Sequence, residues 1–124
     1  MVSGWIKDEE ALSENHYVAL DIINSGPDSF FPVEMECLSK GCGFGNDMGS
    51  CFFRDELDKE EQAEVPLDGV RFSYDFSEKS VILSKEEMFY YMTVACKAYC
   101  SKYPHTKARL EGYLKEFAKL TGLG

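Results

Sequence analysis

The strongest hydrophobic pattern lies toward the C-terminal end, where Met88, Met92, Ala95, Tyr99 and Tyr103 recur at helical spacing. Phe89, Cys96 and Cys100 widen the same stripe. Ser84 precedes Glu87 by three residues, the spacing of a capping box, so a helix is predicted to begin at Ser84 and to stop at Pro104. A second amphipathic run follows at once, with Leu110, Tyr113, Leu114, Phe117 and Leu120 on one face and Gly122 as terminator. Together the two runs predict a helical hairpin.

Ahead of this hairpin the period changes to two. Val70, Phe72, Tyr74 and Phe76 alternate with Arg71, Ser73 and Asp75, which predicts a half-buried strand, and Val81 and Ile82 mark its hairpin partner. "SCFF" at 50–53 is a third strand, and Pro66 with Asp68-Gly69 forms the turn that enters the strand at 70. Upstream, "HYVALDIINSGP" reads as a helix ended by Gly26-Pro27, and "SFFPVEMECLSKG" as another with Ser29 as cap. The expected architecture is α+β: a small antiparallel sheet of about three strands, packed with N-terminal helices and a C-terminal helical hairpin. A length of 124 residues suits one domain spanning 1–124, with 1–16 an irregular N-terminal extension.

Between the second helix and the first strand stands "GCGFGND". Three alternating glycines raise the question of a phosphate-binding loop. Such a loop follows a strand and opens a helix, so that free helix N–H groups face the anion; here the order is reversed. Gly41 is therefore expected to cap a helix in the left-handed conformation, and Gly43 and Gly45 to permit a close turn into the sheet.

Composition changes this picture in one respect. Hydrophobic residues at 44% support a folded core, and the formal charge of −9 repels nucleic-acid backbones and anionic lipid while attracting basic surfaces. No signal peptide or apolar span is visible, so a cytosolic chain is expected. The five cysteines, Cys37, Cys42, Cys51, Cys96 and Cys100, are an odd set in a chain with ample core, so free thiols are expected. Cys96, Cys100 and His105, or Cys37 and Cys42, lack the paired spacing of a structural zinc site and read as packing residues. The two histidines, His16 and His105, lie in no nucleophile motif. Neither catalysis, a metal nor a cofactor is expected.

The acid is unevenly placed. Residues 1–54 and 55–83 each carry nine acids and three bases, whereas 84–124 carry four acids and seven bases. The densest stretch is "DELDKEEQAE" at 55–64, between two strands and so on the surface. Such a run is either a solubilising loop or a docking surface for a basic protein. Composition alone does not choose between them.

The ordered string "LSKGCGFGND", "SCFF", "LDGVRFSY" and "SVILSKEEMFYYMTVACKAYCSKYP", followed by an amphipathic helix, resembles the immunity proteins of contact-dependent growth inhibition (CDI) systems, in particular those of ribonuclease toxins. The resemblance covers about residues 17–120. Cys42 stands where that family carries a larger apolar or aromatic residue, and residues 1–16 have no counterpart. What the resemblance implies is a non-enzymatic cytosolic inhibitor whose partner is a basic nuclease domain, the C-terminal region of a CDI toxin, with no direct contact to nucleic acid or membrane. The other class compatible with the composition is an acidic regulatory domain with an endogenous partner. The expected toxin-binding surface comprises Asp55, Glu56, Asp58, Glu60, Glu61 and Glu64, extended by Asp75 and Glu78 toward Phe52. Gly41, Gly43, Phe44, Gly45, Asp68, Gly69 and Ser84 are expected to serve the fold.

Overall fold

The computed structural model describes residues 4–124. Two helices, α1 (Tyr17–Ser25) and α2 (Phe31–Ser39), lead to strand β1 (Gly49–Phe53). A single helical turn, α3 (Lys59–Gln62), separates β1 from β2 (Val70–Tyr74) and β3 (Ser80–Leu83). The chain ends in α4 (Lys85–Lys102) and α5 (Lys107–Thr121). This is the expected α+β order, with α3 added inside the segment read as a loop.

The capping box at α4 is complete: the Ser84 N–H donates to Glu87 Oε1 at 2.8 Å and the Glu87 N–H to Ser84 Oγ at 3.1 Å. Ser29 does not cap α2. It lies within a 3-10 turn, Asp28–Phe30, and Pro32 takes the first turn of the helix, where a missing N–H leaves no bond unmade.

The strands form one antiparallel sheet in the order β1-β2-β3. Phe52 is paired with Arg71 and Arg71 with Ile82, while Cys51, Phe72 and Val81 share the next row. Because side chains alternate across a strand, the rows divide into two faces. Cys51, Phe53, Val70, Phe72 and Leu83 are buried under the helices. Here α1 backs β2 and β3, α4 flanks β3, and α5 packs on α2 and α4. Phe72, Ile22, Met88, Tyr91, Leu110 and Phe117 form the centre of the core. Phe76 departs from the expected alternation. β2 ends at Tyr74, whose N–H donates to the Lys79 carbonyl across the hairpin turn, so the chain reverses before Phe76 and leaves it 69% exposed.

The glycine stretch does two jobs. Gly41, at φ 77°, closes α2: its N–H donates to the Leu38 carbonyl at 3.1 Å, and the Cys42 N–H to the Cys37 carbonyl at 2.9 Å, the paired bonds of a Schellman cap. The following residues then lie along the outer edge of β1, with the Cys51 N–H donating to the Phe44 carbonyl at 2.9 Å. A Cβ at Gly43 would overlap the Cys51 carbonyl oxygen, so only glycine lets the chain pass so close. The edge of β1 is thereby covered by its own approach segment.

Residues 4–16 are fastened to the body. Asn24 Oδ1 accepts from the Trp5 and Ile6 N–H groups at 2.8 and 3.0 Å, and its Nδ2 donates to the Ile6 carbonyl at 2.9 Å. The Trp5 ring packs on Phe31 and Tyr99. Further along, the Tyr91 hydroxyl accepts from the Leu12 N–H at 2.8 Å and lies 2.7 Å from His16 Nδ1, and the Tyr90 hydroxyl donates to the Glu10 carbonyl at 3.0 Å. Among the described residues no helix is long and apolar enough to cross a membrane.

Candidate functional site

The face of the sheet away from the helices carries Ser50 and Phe52 from β1, Arg71 and Ser73 from β2, and Ser80 and Ile82 from β3. Phe52 is 42% exposed there, a large apolar ring open to solvent. Arg71, its cross-strand partner, reaches out of the sheet to the acidic segment, where Arg71 Nη1 lies 2.9 Å from Glu61 Oε2. The Nε of the same guanidinium is buried without a partner.

The segment Asp55–Glu64 is ordered by local bonding. Leu57 and Val65 are buried and hold its two ends, Arg54 Nε donates to the Gln62 carbonyl at 3.1 Å, and Gln62 Nε2 donates to the Leu57 carbonyl at 2.9 Å. Its six carboxylates divide by role. Glu56 Oε1 accepts from the Gly43 and Phe53 N–H groups at 2.9 and 2.8 Å, tying the glycine stretch to the end of β1. Glu61 is held by Arg71. Asp55, Asp58, Glu60 and Glu64 are exposed to solvent. The structure therefore brings Phe52 together with the acidic segment and assigns Glu56 and Glu61 to holding it in place.

Asp75 and Glu78 lie elsewhere. They belong to the β2-β3 turn, and Asp75 is four residues beyond Arg71, about 13 Å along the strand at roughly 3.3 Å per residue. Around that turn is a second surface that sequence reading missed. Phe76 stacks on Tyr74 with ring centroids 4.6 Å apart, Tyr17 lies 6.3 Å from Tyr74, and the Tyr74 hydroxyl donates to the Asp21 carboxylate. Burial and the Asp21 carboxylate both push the Tyr74 hydroxyl up from its ordinary pKa, so it stays a donor. Beside Asp21 a hollow of about 710 Å³ is lined in part by Asp8, Asp47 and Lys7. The signal for this surface was present in the sequence only as the alternation that ran on to Phe76.

Elsewhere the titratable groups are dispersed. His16 is buried on Tyr91, with Nε2 3.7 Å from Glu87 Oε2, whereas His105 is exposed. Burial pushes the Cys96 thiol up to about 12 and the Cys51 thiol further. Cys100 Sγ lies 3.9 Å from Thr106 Oγ1. Among the described residues no three His, Cys, Asp or Glu side chains are grouped to hold a metal ion.

The chain matches the family model described as CDI immunity protein over residues 11–114, which is most of its length and includes the glycine stretch, the sheet and the acidic segment. The chain belongs to the CDI immunity protein family. A crystal structure of an immunity protein from Neisseria meningitidis MC58 has the same fold, at a TM-score of 0.74 and 13% identity, covering 94% of this chain and 99% of that one. No curated protein matches. For this immunity protein the family match begins within the N-terminal segment, after Trp5 and Ile6, and ends inside α5.

Proposed function

We propose that this CDI immunity protein binds the C-terminal nuclease domain of its cognate toxin, a ribonuclease, in the cytosol and covers the active site without catalysing any reaction. The observation that carries the reading is the acidic segment 55–64, pinned by Glu56, Glu61, Leu57 and Val65 beside the exposed ring of Phe52. A nuclease must carry basic surface to hold phosphates, and an ordered group of carboxylates competes for that surface by charge while an aromatic ring supplies contact energy. Ordering matters because a preformed acidic face loses little conformational entropy on docking. The basic α5, with Lys107, Arg109, Lys115 and Lys119, is then turned away from the toxin. Asp55, Asp58, Glu60, Glu64 and Phe52 make the contacts, and Asp75 and Glu78 contribute from the far end of the sheet.

The test is inhibition of the cognate toxin's nuclease domain, with RNA cleavage as readout. Full suppression is expected at near-equimolar ratio. Substoichiometric inactivation that continues with time would show turnover by the immunity protein and sink the inhibitor mechanism.

A further inference from the structure

The geometry points to a covalent modification site at the end of α2: Cys37 and Cys42 form an intramolecular disulfide when the chain meets a small-molecule disulfide such as oxidised glutathione. In the Schellman cap the residues three before and two after the helix end are Cys37 and Cys42, joined by the bond from the Cys42 N–H to the Cys37 carbonyl. Side chains at these two positions of the cap commonly pack on each other, normally as a pair of apolar residues. Here both are thiols. Neither is committed elsewhere: all five cysteines are free, and Cys42 is exposed while Cys37 is half-buried beside it. By contrast, Cys51 and Cys96 are buried in the core and closed to reagents.

The accessible Cys42 reacts first. Its thiolate attacks one sulfur of the small disulfide, displaces one thiol and leaves a mixed disulfide on the protein. The Cys37 thiolate then attacks Cys42 Sγ and displaces the second thiol. Two protein thiols become one S–S bond; their two electrons reduce the small disulfide, and their two protons end on the thiols released. Burial, the Cys42 thiol and the carboxylates of Glu36 and Glu34 push the Cys37 thiol up, which lowers its thiolate fraction and leaves the first attack to the accessible Cys42; in the second step the nearness of the two residues in the cap offsets that scarcity. The bond would lock the turn through Gly41, next to the Gly43 link to Glu56 that holds the acidic segment.

The test equilibrates the full chain in glutathione redox buffers, traps thiols by alkylation and maps the products by mass spectrometry after tryptic cleavage at Lys40. The expected product joins the peptides bearing Cys37 and Cys42, with Cys51, Cys96 and Cys100 alkylated after unfolding. Its formation constant should be at least tenfold greater in the native chain than in denaturant, which separates the cap's geometry from mere nearness in sequence. Thermal unfolding of the oxidised form should rise by about 2–6 °C. Cys37→Ser should halt at the glutathione adduct on Cys42, and Cys42→Ala should leave Cys37 unmodified. A wild-type chain that itself stops at the adduct, links another pair, or forms the 37–42 bond equally well in denaturant overturns the proposal.

Discussion

Glu34 is 6% exposed on α2, facing Gly26 and Asn46, and burial raises its carboxyl from an ordinary 4.5 to about 8, a hydrogen bond from Asn46 acting in the opposite direction. At neutral pH it is therefore mainly uncharged in the folded chain and ionised in the unfolded one. Below about pH 4.5 both states are protonated and the group costs nothing; the loss of stability grows as pH rises from there to about 8, then levels off. Glu34→Gln should accordingly match wild type near pH 4 and exceed it by about 1–3 kcal/mol at pH 8 in denaturant melts. A constant difference across that range would show that the carboxyl is ionised in the fold. Gly43 tests packing instead of charge. Since the atom a Cβ would meet belongs to the backbone of β1, it cannot swing aside, and Gly43→Ala should lower stability by about 1–3 kcal/mol. Equal melting of variant and wild type would mean that the glycine stretch does not lie against that strand. Neither residue's role was legible in the sequence beyond Gly43's place in a turn, because both depend on which distant atoms arrive beside them.

At the scale of elements, legibility followed the range of the signal. The start of α4 was readable because Ser84 and Glu87 satisfy each other within one turn. The strands were readable from alternation, but the end of β2 was not, since Phe76 keeps the pattern while the turn has already begun. The N-terminal segment gave no periodic signal; its partners Asn24, Phe31, Tyr90, Tyr91 and Tyr99 are scattered over the chain, so an irregular extension was all that local reasoning offered. Tyr91 is the main clasp. Tyr91→Phe removes the hydroxyl shared by Leu12 and His16 and should cost about 1–3 kcal/mol, with faster amide exchange centred on residues 10–16. Uniformly faster exchange throughout α4 would instead indicate loss of core packing.

Across the whole molecule the sequence showed where charge is concentrated, and the fold shows which charges are already engaged. Four carboxylates of the acidic segment, Asp55, Asp58, Glu60 and Glu64, are exposed, while Glu56 and Glu61 hold the segment in shape. Converting those four to amides should slow association with the toxin domain several-fold at low ionic strength and flatten its salt dependence, leaving the melting temperature near wild type. Removing charge from Lys107, Arg109, Lys115 and Lys119 should not slow it. The opposite ranking in stopped-flow measurements would move the binding face to α5. The clasp at Tyr91 also bears on how the protein is made. Leu12 must wait for a partner 79 residues downstream, which at ribosomal rates of 5–20 residues per second is about 4–16 s of synthesis. The stretch around Leu12 thus settles only after α4 has been made. A nascent chain interrupted before α4 keeps the contacts of Trp5 and Ile6 with Asn24 and Phe31 but leaves Glu10 and Leu12 unclasped, so the complete fold is reached only by chains carried through to the helix that closes them.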